Sequence, residues 1–234
     1  MQFEKLCAPS LKELFIQQLE TMILSGKLPV GEKLPAEREL AETMQVSRAV
    51  INAGIAELAR KGFLTIKPRV GTFVADYRRN GTIDTLISIM NYNGGILRDD
   101  EIRSILELRL GLDSLAINLC ISKITDDELH SLKEKVNSLL IAETPEEAST
   151  VAFAFQHELA YLSGNTLMPL IFSSFRIPVI TLWERFCRLY GIQALYENTL
   201  TLYQCIEERD SSKAIEWLNT SINDTIHGNR QIYY

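Results

Sequence analysis

The chain has 234 residues, 46% of them hydrophobic and 23% charged, a composition typical of a globular protein with room for two modest domains. No apolar run approaches the roughly 18 residues of a membrane span, and the N-terminus lacks the basic-then-apolar pattern of a signal peptide. The net charge of −6 is unevenly distributed: residues 1–79 hold 12 basic and 9 acidic side chains, and the rest holds 12 and 21. A mildly basic first part is compatible with nucleic-acid binding by that part alone.

The four cysteines are scattered along the chain and form no C-x-x-C pair; they are Cys7, Cys120, Cys187 and Cys205. This spacing argues against a zinc ribbon and against a disulfide framework, and it favours a reducing compartment. We therefore expect a cytoplasmic protein in which the cysteines serve as small buried hydrophobic residues.

The first predicted element is a helix over residues 9–25, where apolar residues recur at helical spacing. Ser10 is a candidate N-cap, and Glu13 stands three residues later, as a capping box requires. Gly26 is expected to end this helix, and residues 26–33 contain the Gly and Pro residues of a loop.

A short helix and a longer one follow, joined by a tight turn. Pro35 suits the first position of the short helix, because the N–H that it lacks would have no intrahelical partner there. Glu37 and Glu39 then fall in the first turn, where the helix dipole favours negative charge. Ser47 is expected to cap the second helix, which runs to about Lys61. Its predicted buried face consists of Val50, Ile51, Ile55, Leu58 and Ala59.

Two short β-rich runs complete the first domain. They flank the turn Lys67-Pro68-Arg69-Val70-Gly71 and predict a hairpin with Lys67 and Arg69 near its tip. Three helices and a hairpin make a winged helix-turn-helix, which we place at residues 1–75. The polar residues 76–81 are interpreted as a linker.

From residue 82 onward the apolar pattern is helical and no convincing strand is predicted. We expect an all-α antiparallel bundle over residues 82–234, and thus a mainly α protein. Breaks are predicted at Asn93-Gly94-Gly95, Thr125, Thr144-Pro145, Gly164 and Asp210. The predicted helices cover residues 82–91, 99–122, 126–142, 145–163, 166–190, 194–209 and 211–228.

Several motifs of the first domain occur in order: Pro29-Val30-Gly31-Glu32-Lys33-Leu34-Pro35-Ala36-Glu37-Arg38-Glu39-Leu40-Ala41, Val46-Ser47-Arg48, Gly62-Phe63-Leu64 and Gly71-Thr72-Phe73-Val74. Together they resemble the DNA-binding domain of the GntR family of bacterial transcription regulators, over about residues 9–75. Gln45 stands where members usually carry glycine, which predicts a different backbone in that turn. Asn52 stands where many members carry an arginine that the resemblance implies reads DNA.

The resemblance implies a regulator that binds a double-stranded DNA operator. Because Asn bonds adenine and Arg prefers guanine, Asn52 predicts an operator that differs from the family's usual one. The alternative for each candidate is a solvated surface residue; Arg38 could pair with Glu42, and Ser47 caps its helix in either case. The DNA-binding candidates are Arg38, Ser47, Arg48, Asn52, Lys67 and Arg69.

The helical part carries Glu107-Leu108-Arg109 through Asp113, then Ser163-Gly164-Asn165, then Asp210 with Ala214. It resembles the effector-binding domain of the FadR-type branch of the GntR family, many of whose members hold a divalent metal with one Asp and three His. Alignment on these motifs puts other residues at all four ligand positions: Ala152, Gln156, Thr199 and Ser221. We therefore expect no metal and no cofactor.

The remaining residues predict an effector cavity among apolar neighbours, lined by Arg109, Gln156, Tyr161, Thr199 and Ser221. Arg109 lies within an apolar helix face, where a charge without a partner would be unfavourable. It either pairs with Asp113 or another internal acid, or meets an anionic or carbonyl group of a small-molecule effector. The member that gives the branch its name lacks the metal ligands and binds an acyl-CoA, so an acyl-type or organic acid effector is expected.

One winged helix contacts too few base pairs to select a site in a genome, so we expect a homodimer on a palindromic operator. Residues 83, 86, 87 and 90 form an apolar helical stripe that either serves the dimer or packs inside its own domain. No nucleotide-binding, nucleophile-elbow or paired His-Glu motif indicates an enzyme. An alternative left open is a DNA-binding regulator with a degenerate, ligand-independent sensor domain, and the sequence does not decide between repression and activation.

Overall fold

The computed structural model describes residues 9–90, 92 and 99–233, apart from the side chain of Met90. The chain divides into two compact units, Met1–Gly95 and Ile96–Tyr234. The predictions on Cys7, on residue 91 and on the break at Asn93-Gly94-Gly95 lie outside the described residues.

The first unit begins with three helices, α1 (Leu11–Leu24), α2 (Glu37–Thr43) and α3 (Arg48–Arg60). The Ser10 hydroxyl accepts from the Glu13 backbone N–H at 3.2 Å, and the Glu13 carboxylate accepts from the Ser10 N–H at 2.7 Å, which confirms the predicted capping box. Ser47 caps α3 as predicted, since its hydroxyl accepts from the backbone N–H of Val50 at 3.3 Å.

The prediction for Pro35 is wrong, because α2 begins at Glu37 and its N-cap is Ala36. The preceding chain is held extended against the hairpin. The Leu34 N–H donates to the Thr72 carbonyl at 2.9 Å, and Lys33 forms a β-bridge with Phe73. This pairing keeps the backbone out of the helical region until Ala36, which remains extended at ψ 147°.

The predicted hairpin is present as β1 (Leu64–Lys67) and β2 (Gly71–Val74), which pair antiparallel from Leu64↔Val74 to Lys67↔Gly71. The buried face of α3 differs slightly from the predicted one: Val50 and Ala59 are only partly buried, whereas Gly54 is buried. A Cβ at Gly54 would lie 2.3 Å from the Phe15 ring, so the glycine allows α1 to approach α3 closely.

Two further helices, α4 (Tyr77–Asn80) and α5 (Ile83–Met90), belong to the first unit. The Tyr77 ring packs on Phe63 with centroids 5.5 Å apart. The buried Thr85 donates its hydroxyl to the Lys61 carbonyl at the end of α3. The first compact unit therefore extends beyond residue 81, the predicted end of the linker.

The second unit is all-α in the residues that the structure describes. Its helices are α6 (Asp99–Ile121), α7 (Asp126–Leu140), α8 (Pro145–Leu162), α9 (Met168–Ser174), α10 (Arg176–Tyr190), α11 (Ile192–Glu207) and α12 (Ser211–His227). Helix α8 packs against α6, α7 and α10, and α12 packs against α6 and α11. None of the described helices is long and apolar enough to cross a membrane.

One predicted helix, residues 166–190, is two helices that meet at Phe175. Pro178 has no N–H to donate to the Ser174 carbonyl, so an unbroken helix would lack a hydrogen bond at this point. Burial of the cysteines agrees with the prediction where the structure describes them: Cys120, Cys187 and Cys205 are buried free thiols. Burial raises the pKa of Cys120 and of Cys187 to about 11.

Candidate functional sites

The turn between α2 and α3 positions α3, the helix that carries the candidates Ser47, Arg48 and Asn52 at its N-terminal end. It is a Schellman motif, in which the Val46 N–H donates to the Ala41 carbonyl at 3.1 Å and the Gln45 N–H donates to the Glu42 carbonyl at 3.4 Å. Gln45 has φ 53°, the left-handed conformation that glycine adopts most easily. The predicted change of backbone is therefore not seen, because Gln45 takes a glycine-like conformation.

The recognition-helix candidates lie at one end of α3. Arg48 is the first residue after the Ser47 cap, Asn52 follows one turn later, and all three are exposed. Arg38 on α2 is also exposed and pairs with Glu42 at 2.8 Å, as the alternative prediction had it. Because both side chains of that pair face solvent, it leaves the guanidinium accessible.

The wing tip is a β-turn. The Val70 N–H donates to the Lys67 carbonyl at 3.0 Å, Pro68 occupies the second position, and Arg69 occupies the third with φ 63°, as a type II turn requires. The Lys67 ammonium lies 4.8 Å from the centroid of the Phe73 ring.

Lys33 is a further cation at the wing, and it is not among the predicted DNA-binding residues. Its ammonium lies 6.0 Å from the same Phe73 ring, and its stem lies against Gly71. Residues 26–33 have the composition of a loop, and only the tertiary bridge between Lys33 and Phe73 brings this side chain to the wing.

A cavity of about 70 Å³ lies inside the second unit. Four of the five predicted effector residues line it: Arg109, Gln156, Thr199 and Ser221. The prediction for Tyr161 is wrong, because this side chain is 67% exposed. Tyr161 follows Gln156 by five positions on α8, and five residues turn a helix by about 140° beyond one full circle, toward another face.

Arg109 has a partner inside the protein. Its Nη2 lies 3.1 Å from the Asp113 Oδ2 on the next turn of α6, and its guanidinium stacks 4.6 Å from the centroid of Trp183. The Asp113 Oδ1 is buried and has no hydrogen-bond partner among the described residues. Burial raises the pKa of Asp113, and the charge of Arg109 opposes this shift.

The cavity does not fit a divalent metal. Three of the four positions that the alignment matches to metal ligands line the cavity, and Gln156, Thr199 and Ser221 provide an amide and two hydroxyls there. Arg109, which also lines the cavity, adds a positive charge. The Thr199 hydroxyl already donates to the Leu195 carbonyl at 2.9 Å. In the described residues no group of three His, Cys, Asp or Glu side chains is arranged to hold a metal ion.

Several cavity residues were not predicted: Trp183, Asn198, Trp217 and Ile232. The Trp217 indole N–H donates to the Asn198 carbonyl at 3.1 Å, which fixes α12 against α11 beside the cavity. Apolar and aromatic residues occur at helical spacing throughout this unit, so periodicity predicts burial but does not show which buried residues face a void.

A winged helix-turn-helix joined to an all-helical domain defines the class of DNA-binding transcription regulators. The family model for bacterial regulatory proteins of the gntR family matches residues 11–74, and the FCD domain model matches residues 104–224, more than half of the chain. The chain belongs to the GntR family, in its FCD-containing, FadR-type branch, and it is a transcription regulator rather than an enzyme.

The similar proteins include the HTH-type transcriptional regulator LutR of Bacillus subtilis, which is 25% identical over 82% of this chain and 89% of LutR. The fatty acid metabolism regulator protein of Shewanella halifaxensis is 30% identical over 66% of this chain and 63% of its own length. Among solved structures, Lar of Listeria monocytogenes matches with a TM-score of 0.63 and 17% identity over 94% of this chain and 96% of Lar, a likeness of fold.

Proposed function

We propose that the protein is a cytoplasmic regulator that binds a palindromic operator through Arg38, Ser47, Arg48, Asn52, Lys67 and Arg69. The supporting observation is that Arg48 and Asn52 stand one turn apart on the exposed, N-terminal end of α3, the end that such motifs insert into the major groove. The wing, to which Lys33 also contributes, supplies cations for the phosphate backbone.

The experiment is a DNA-binding titration with a site selected from random duplex DNA, at fixed salt. We expect Arg48→Ala to weaken binding by about 1–3 kcal/mol, because alanine cannot donate the two hydrogen bonds that a guanidinium offers to one base. Arg103→Ala is the matched control, since Arg103 is exposed on α6 in the second unit and pairs with Glu107. Equal affinity of the Arg48→Ala variant and the unsubstituted protein would refute the assigned recognition helix.

The second part of the proposal is that the cavity in the helical unit binds a small organic ligand that changes operator affinity without a metal. Its support is the convergence of Arg109, Gln156, Thr199 and Ser221 on one void. The volume of about 70 Å³ is well below the roughly 300–1,000 Å³ of pockets for drug-sized ligands. The void therefore favours a small organic acid over a long acyl chain.

A ligand-independent regulator is the second candidate, because Arg109 already has Asp113 as an internal partner. A thermal-shift screen of small carboxylic and hydroxy acids on the full-length protein separates the two. A sensor is stabilised by RT ln(1 + [L]/Kd), whereas a degenerate domain shows no shift with any compound.

We further propose that the protein is a homodimer held by its helical unit. The apolar stripe at residues 83–90 lies on α5, which belongs to the first unit. The candidate dimer surface within the helical unit is therefore the exposed face of α6. Leu108 and Leu115 are each 46% exposed there, and Gly111 between them has open space where a Cβ would stand. Two such faces can approach closely on a two-fold axis.

A further inference from the structure

The chain after α12 crosses the helical unit as a short non-helical segment, residues 228–233, here called the strap. Ile232 is its one buried side chain, 2% exposed, and it lines the cavity that contains Arg109 and Gln156. The strap therefore forms part of the wall of the proposed effector site.

Side chains of α10 hold the strap by its backbone. The Arg185 Nε donates to the Ile232 carbonyl at 2.8 Å and its Nη2 donates to the Tyr233 carbonyl, while the Tyr190 hydroxyl donates to the Gln231 carbonyl at 2.7 Å. In the part of the chain that the structure describes, residues 231–233 make no backbone–backbone hydrogen bond. Residues 231–233 can consequently move away from α10 without breaking a backbone hydrogen bond of a helix, whereas Gly228 and Arg230 remain bonded to the Asp224 carbonyl on α12.

An open groove of about 1270 Å³ runs beside the strap, and Arg230 lines it. The groove shares Phe186, Asn198, Trp217 and Ser221 with the internal cavity, so the two adjoin at these side chains. The strap contributes Arg230 to the groove and Ile232 to the cavity. The Arg230 guanidinium lies 3.4 Å from the Asn198 Oδ1 at this boundary.

We infer that the strap is the gate of the cavity. A ligand enters and leaves when Ile232 and the strap backbone move away from Arg185 and Tyr190, which breaks their hydrogen bonds. The inference rests on the proposed ligand-binding role of the cavity. Ile232 also sets the length of ligand that the closed cavity accepts, because its side chain forms one wall.

The gate is testable without an effector through Trp183, which lines the cavity and does not line the open groove. Trp217, the other tryptophan of the sequence, lines both and is replaced by phenylalanine in every protein compared. The probe is acrylamide, a small neutral quencher of tryptophan emission, added to the full-length protein. Ile232→Ala shortens the buried side chain of the strap, and Tyr190→Phe removes one hydrogen bond to the strap. We expect each variant to raise the quenching constant about twofold, because the strap opens more often.

Matched controls are Ile141→Ala and Tyr161→Phe, which make the same chemical changes at side chains that are 76% and 67% exposed and do not line the cavity. Tyr190→Phe keeps Ile232 in place, so the test survives if Ile232→Ala fails to fold. Unchanged quenching in the folded gate variants, or an equal rise in the controls, overturns the gate. The result is independent of the thermal-shift screen, so failure of the gate and failure of ligand sensing are distinguishable.

Discussion

Arg109 and Asp113 form a buried ion pair across one turn of α6, with the two side chains 9% and 0% exposed. The pair is incompletely satisfied, because the Asp113 Oδ1 has no hydrogen-bond partner in the described residues. A pair of this kind is sensitive to the loss of either member, since the remaining charge stays in a poorly solvating interior.

We expect Arg109→Met to destabilise the helical unit by about 3–5 kcal/mol at neutral pH, and Arg109→Met with Asp113→Leu to restore most of that loss. Burial already raises the pKa of Asp113, and loss of Arg109 raises it further. When the folded pKa of a carboxyl lies above its unfolded pKa, stability falls as pH rises from the unfolded pKa to the folded pKa, so the deficit of the single variant should shrink on acidification. Denaturant unfolding at several pH values measures this; a pH-independent deficit would contradict it.

The left-handed conformation of Gln45 predicts a stabilising substitution. A residue with a Cβ is disfavoured there by about 1–2 kcal/mol, so Gln45→Gly should raise the unfolding free energy of the first unit by about 1 kcal/mol. The matched control is Gln18→Gly, an exposed site inside α1, where the same replacement should lower stability by about 1 kcal/mol. Thermal unfolding that shifts in the same direction for both variants would argue against the strain at Gln45.

The wing is expected to contribute to DNA affinity but not to sequence specificity. Arg69→Ala should weaken binding to all duplexes and flatten the plot of log affinity against log salt by about 0.9 for each phosphate that the variant no longer neutralises. Titrations on selected and random DNA over a salt series measure both effects. A weakening confined to the selected sequence would instead assign Arg69 to a base.

The exposed face of α6 predicts the oligomeric state. Leu108→Glu with Leu115→Glu should convert the full-length protein from dimer to monomer, because facing carboxylates would repel in place of an apolar contact. Ile141→Glu, also at a highly exposed position, should leave the dimer intact. Light scattering measures the oligomeric state of each variant. Ile83 and Ile87 on α5 are 75% and 36% exposed. If Ile83→Glu with Ile87→Glu dissociates the protein instead, the interface lies on α5.

Local signals in the sequence predict the elements well where a few neighbouring residues determine them. Ser10 and Glu13 define the start of α1, and Ser47 defines the start of α3, because capping involves contacts only three residues apart. The prediction that α2 starts at Pro35 is wrong, because pairing of the preceding chain with the distant Thr72 determines that start.

The cavity of the helical unit is predictable in part, where short sequence motifs locate its residues. Alignment on short motifs brings Gln156, Thr199 and Ser221 to one cavity, whereas the prediction for Tyr161 is wrong. The strap is not predicted, because residues 228–233 have no apolar periodicity and their contacts with Arg185 and Tyr190 span 47 and 41 positions.

The packing of α5 determines where this protein can be divided. Its Thr85 and Ser88 face the end of α3, and Ser88 and Lys61 both bind Glu20, at 3.0 Å and 2.9 Å. A chimeric regulator that joins this DNA-binding domain to another family member's sensor at residue 75 would leave the Lys61 carbonyl without Thr85 and the Glu20 carboxylate without Ser88. A junction placed after Met90 keeps α5 and all of these contacts. The transplanted sensor would then be joined to α5, the helix that packs on the end of α3.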